Sequence, residues 1–136
     1  MRLPDWQSRL AAVMREAQAR PFAWGSHDCA TFAATCVVAV TGVDRIADVR
    51  AAWQSELQAA RLLERLGGLR AAIGERLGAP LASVALAQPG DVGISDQAGR
   101  DALCVCGGVN WHMPAELGLA TLAADQVLCA WRCEWA

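Results

Sequence analysis

The chain contains no lysine and no tyrosine, and only two phenylalanines. All twelve of its basic residues are therefore arginine, and they face fourteen acidic ones for a formal net charge of −2. Without a basic excess there is nothing to neutralise a run of phosphates, so nucleic acid is excluded as a partner held by bulk charge. Charged residues make up only 19% of the chain and hydrophobic residues 54%, the reverse of the balance that keeps a chain disordered. The sequence also lacks a long apolar run. Its longest uncharged stretch, Cys29 to Val43, contains Thr and Gly and falls short of the roughly 20 residues a membrane span needs, so no membrane span is expected. Met1 to Trp6 has no apolar signal core, which predicts synthesis and folding in the cytoplasm. The six cysteines are then expected to be thiols or ligands rather than disulfides. No repeat, linker or low-complexity segment interrupts the 136 residues, a length that suits one domain.

Periodicity predicts helices first. Residues 4–19 place Trp6, Leu10, Val13, Met14 and Ala17 on one face, with Pro4 and Asp5 at the start and Arg20-Pro21 as the stop. Ser26 is the expected N-cap of a helix from about Asp28 to Thr41, closed by Gly42. Ser55 and Gln58 form a capping-box pattern before the Leu57, Leu62, Leu63 and Leu66 stripe, which ends at Gly67-Gly68. Leu69 to Leu77 reads as one more short helix, weakened by Gly74 at a cost of about 1 kcal/mol. From Pro80 the texture changes to short β-type runs: 84–86, 89–94, 103–106, 109–113, 119–122 and 127–135. A helical half (about 4–78) followed by a β half (about 82–135) predicts an α+β fold with helices packed on an antiparallel sheet.

The sharpest local feature is Trp24-Gly25-Ser26-His27-Asp28-Cys29. A cysteine in the first turn of a helix sits where unpaired N–H groups and the helix dipole favour an anion, the setting of a nucleophilic thiolate. Phe22, Trp24-Gly25, Asp28-Cys29 and Phe32 together resemble the nucleophile segment of the NlpC-like cell-wall cysteine peptidases, and Ala87-Gln88-Pro89-Gly90-Asp91-Val92 resembles the turn and strand before their catalytic histidine. More closely, the whole chain resembles small NlpC-like proteins encoded among phage and prophage tail genes. They share the WG-x-x-DC segment, the Thr41-Gly42-Val43-Asp44 stretch, an Arg-rich central helix, the Gly-Asp-Val strand and a terminal Ala130-Trp131-Arg132. The resemblance implies a single papain-like, NlpC-type domain over 1–136. It makes Cys29 the nucleophile, with Asp28 and Trp24 supporting the loop and its oxyanion site. The family's base histidine falls at Ala102, a departure, while His112 falls at or near the third residue of the next strand, where the family carries the group that orients the base. His112 is the candidate to act on Cys29 directly; His27 is expected on the solvent side of the turn.

The remaining cysteines form same-face pairs. Cys36 follows Cys29 by seven residues on one helix face, Cys104 and Cys106 share a strand face, and so do Cys129 and Cys133. Cys104, Cys106, Cys129 and Cys133 are thus a candidate zinc or iron–sulfur set, although the spacing matches no standard signature. Six tryptophans are many for this length, and Trp111, Trp131 and Trp135 are candidates for an apolar interface. Three functions follow as expectations. The first is a phage tail-tip structural or assembly protein with a degenerate peptidase fold, made in the host cytoplasm and carried in the virion, docking on other tail proteins. The second is an active tail-associated murein endopeptidase cutting peptidoglycan peptides, with Cys29 attacking a carbonyl and the N–H groups of the 28–41 helix holding the oxyanion. The third is a cysteine-ligated metal plug.

Overall fold

A computed structural model describes residues 1–134. It is an α+β fold, with four α-helices preceding a five-stranded antiparallel sheet. The helices are α1 (Trp6–Ala17), α2 (Cys29–Thr41), α3 (Glu56–Arg65) and α4 (Leu69–Leu77). α1 is two residues shorter at each end than its periodicity implied. Trp6 N–H bonds the Leu3 carbonyl in a preceding turn, and beyond Gln18 the chain leaves the helix for a bridge between Pro21 and Leu117. α2 is capped by Asp28, not Ser26: the Asp28 side chain accepts from Thr31 N–H while the Thr31 hydroxyl accepts from Asp28 N–H, a reciprocal box that Ser26 has no partner to form. Gly42 ends α2 at φ 78°, the left-handed conformation that glycine adopts without strain. Ser55 caps α3 as expected, but Gln58 reaches back to Gln54 N–H instead of Ser55 N–H. α4 has the predicted bounds.

The strands are β1 (Val92–Gln97), β2 (Arg100–Cys106), β3 (Trp111–Pro114), β4 (Leu119–Leu122) and β5 (Val127–Trp131), in the order β4-β3-β2-β1-β5. The run 84–86 is a 3₁₀ turn capped by Ser83, not a strand. Of its three residues Val84 alone turns inward: with the flanking Leu81 and Ala87 it packs over Cys104, Cys106, Trp111, Leu122, Val127 and Ala130 on the face away from the helices, while Leu86 is exposed. The other face, carrying Val92, Ile94, Leu103 and Val105, forms the main core with α1, α2 and Ile73 of α4. α2 is apolar nearly all round because it is covered nearly all round; Phe32, Ala33, Cys36, Val37 and Val40 are all buried.

A carboxylate ties the ends of the chain to the sheet. Asp91 is fully buried and accepts from Arg2 at 2.8 Å, Arg132 at 2.9 Å, Cys133 N–H at 2.9 Å and Gln88 N–H at 2.8 Å. Arg2 also lies 4.3 Å over the Trp6 ring. The Gly-Asp-Val strand and the Ala-Trp-Arg segment are therefore two halves of one clasp.

Candidate functional site

The Trp24–Cys29 segment folds as a tight turn closed by Ala23 and His27, whose backbones bond in both directions at 3.1 and 2.8 Å. Gly25 sits at φ +83°, and a Cβ there would collide with the Trp53 carbonyl oxygen, so the position admits only glycine. Asp28 is buried and saturated. One carboxylate oxygen takes Thr31 N–H at 2.9 Å and the Thr31 hydroxyl at 3.1 Å; the other takes Gly25 N–H at 2.8 Å and the Trp53 indole N–H at 2.7 Å. Its role is to hold the turn, the helix start and the 44–55 loop together. Trp24, expected beneath the turn, lies on the surface instead. It is 38% exposed and packs edge-on to Phe22, 4.9 Å between ring centres.

Cys29 opens α2, half-buried, with its sulfur beside the backbone of Leu103 on β2. Burial is the largest influence on its thiol and pushes the pKa up. The Asp28 charge pushes the same way, while backbone hydrogen bonds from Leu103, Ala30 and Cys29 itself oppose. No histidine is among the groups acting on it. Ala102 holds the expected base position with a methyl group, paired across the sheet with Ser95. The helix start supplies N–H groups, but the Cys29 pKa is raised rather than lowered.

The two histidines sit in different settings. His27 is 2% exposed rather than on the solvent side, its ring edge-on to Phe32 at 6.1 Å and its Nε2 without a partner. Burial lowers its pKa, Arg20 adds to that and Asp28 opposes it. His112 stands on β3 opposite Val105 and lines a cleft with α1 residues Trp6, Leu10 and Met14. Burial alone lowers its pKa, and no cysteine acts on it. Cys29 thus packs by Leu103 of β2, while His112 faces the cleft beside α1.

The cysteine set is divided by the sheet. Cys104 and Cys106 point into the outer cluster, whereas Cys133 and Cys36 belong to the helix-side core, with Cys129 packed at its margin. Among the described residues no group of three or more His, Cys, Asp or Glu is arranged to hold a metal ion. Burial pushes the Cys104 and Cys133 thiols up to about 12, so they are neutral core residues at ordinary pH. Trp111 is 2% and Trp131 3% exposed, and Trp131 donates its indole N–H to the Gly78 carbonyl at 3.0 Å. Neither offers a docking face, because the 80–88 segment and the helices cover them; Trp135 lies outside the described residues. Sequence reasoning missed Trp53, which carries no motif, and the Arg2–Asp91–Arg132 clasp. For the clasp, a charged residue set in an otherwise apolar strand was the available signal.

The fold and site define an α+β protein with a cysteine of raised pKa at a helix start. The chain belongs to the family described as domain of unknown function DUF6950, whose pattern matches residues 1–133. No curated protein and no solved structure matches it.

Proposed function

We propose that this chain is a non-catalytic structural and assembly protein of a phage-type tail, built on a degenerate NlpC-like, papain-type fold. The observation that carries the non-catalytic half is Cys29: its thiol is held up by burial and by Asp28, and no histidine acts on it. A general base contributes about 10²–10⁴-fold to such chemistry, and Ala102 cannot supply one. The helix-borne cysteine, the Gly-Asp strand and the antiparallel sheet follow in the order the peptidase scheme requires. The tail setting rests on the resemblance of WG-x-x-DC, the Gly-Asp-Val strand and Ala130-Trp131-Arg132 to small tail-encoded proteins. In this reading the chain is made in the host cytoplasm and ends in the virion, docked on other tail proteins.

Iodoacetamide labelling between about pH 4 and 10, on wild type, Cys29→Ser and His112→Ala, tests the site. Labelling of Cys29 only above about pH 8.5, unchanged by His112→Ala, is the expected result. Labelling near pH 5–6 that His112→Ala abolishes would move the murein endopeptidase reading to first place. Deleting the gene from a phage or prophage that encodes the chain tests the setting. Incomplete or detached tails are expected, and intact, infectious particles would remove the tail role.

A further inference from the structure

The cleft beside His112 is not accounted for by the Cys29 site. It has a volume of about 280 Å³, just below the roughly 300 Å³ at which small-molecule sites begin. Trp6, Leu10, Met14 and Leu119 supply apolar walls, and Gln7, Gln18 and His112 bring polar side chains to the same space. The walls are fixed in advance. Trp6 is held from behind by Arg2, which Asp91 anchors. The His112 ring lies over Gly107, where a Cβ would come within 2.6 Å of Nε2. The glycine there leaves room for that nitrogen edge at the cleft.

The two ring nitrogens differ. Nδ1 is fully enclosed and has no partner. A buried N–H without an acceptor is rarer in proteins than a buried acceptor without a donor, so the neutral ring carries its proton on Nε2. The cleft is then an apolar chamber with a fixed N–H donor at one wall. We propose that it binds a neutral ligand that joins an aliphatic or aromatic body to a carbonyl, the carbonyl oxygen accepting from His112 Nε2–H. Such chemistry belongs to small amides and to a peptide segment bearing an apolar side chain. The proposal goes beyond the reading of Cys29 and rests on His112 and the cleft, with no part given to the thiol.

The test is nitrogen-15 NMR of the histidines in the wild-type protein, followed by titration with N-acetylleucinamide. In the free protein the Nε2–H tautomer of His112 is expected; an Nδ1–H tautomer would overturn the proposal without any variant. On titration, saturable shifts at the His112 ring and the Trp6 indole are expected, and His112→Phe should weaken binding roughly three- to tenfold, the loss of one neutral hydrogen bond. No shift at millimolar probe, or equal affinity in a folded His112→Phe protein, overturns it. An acetylated tripeptide with central leucine separates the sources. Binding about tenfold tighter than N-acetylleucinamide supports a peptide occupant, and equal affinity supports a small amide.

Discussion

Replacing Asp28 by Asn tests whether the acidic residue of the WG-x-x-DC segment is a clasp or a catalytic accessory. The carboxylate satisfies donors at both oxygens: Thr31 at one, Gly25 N–H and the Trp53 indole N–H at the other. An amide of the same shape has one oxygen, so one of these sets must face an NH₂ group. With the amide oxygen kept on Gly25 and Trp53, the Thr31 hydroxyl still donates to the Asp28 backbone carbonyl, so Thr31 N–H is the one buried donor left without an acceptor, at a cost of about 1–3 kcal/mol against a total stability of about 5–15 kcal/mol. With a urea m-value of about 1–3 kcal/mol/M, the unfolding midpoint should fall by about 1 M. The second readout is Cys29. The Asp28 charge raises the thiol pKa, so the neutral amide lowers it and makes Cys29 more reactive toward iodoacetamide at about pH 8, measured where the variant is still folded. A group that assists the cysteine would give the opposite sign. A loss of stability below about 1 kcal/mol, or a Cys29 that becomes less reactive, would refute the reasoning.

Two further outcomes follow from buried titratable groups. Stability should peak near neutral pH and fall on both sides. Burial lowers the pKa of His27 and His112, so as pH drops below about 6.5 the unfolded chain takes up protons first and the stability present above that pH is lost. Above about pH 8.5–9 the unfolded chain releases thiol protons that Cys104 and Cys133 retain to about 12, so each of those thiols removes ~1.4 kcal/mol per pH unit. Urea unfolding from about pH 5 to 10.5 reads both arms, and Cys104→Ala should flatten the alkaline one; a flat profile would count against the burial of these groups. Asp91→Asn should lower Tm by about 10–20 °C, because Arg2 and Arg132 lose their shared counter-charge in a buried setting worth about 3–5 kcal/mol. A shift of only a degree or two in a thermal scan would contradict the clasp.

Local signals in the sequence carried most of the secondary structure. Gly42, Gly78 and the leucine spacing placed the helix ends, and the segregation of helices from strands placed the fold class. The errors occurred where the deciding partner lies far along the chain or outside the local pattern. Ser26 and Asp28 are both good caps, and only the return bond from Thr31 selects Asp28. Val84-Ala85-Leu86 is apolar enough for a strand, yet Ser83 turns it, and only Val84 covers a sheet the run does not join. Trp111 and Trp131 looked like interface material because their cover comes from segments about 30–50 positions away, Trp131 bonding Gly78 and Trp111 packing beneath the 80–88 stretch.

The alanine at position 102, where the resemblance expects a base, bears most on function. Three residues that make this chain resemble a peptidase, Gly25, Asp28 and Asp91, have structural uses here. Gly25 admits the Trp53 carbonyl, Asp28 caps α2 and gathers Thr31 and Trp53, and Asp91 binds both ends of the chain to the sheet. None of these requirements depends on a histidine near Cys29, so a chain can meet them all with alanine at position 102. A motif fixed by folding demands reports the fold. Catalysis adds a separate demand, a base within about 3 Å of the sulfur, and a test of function therefore has to address the thiol itself.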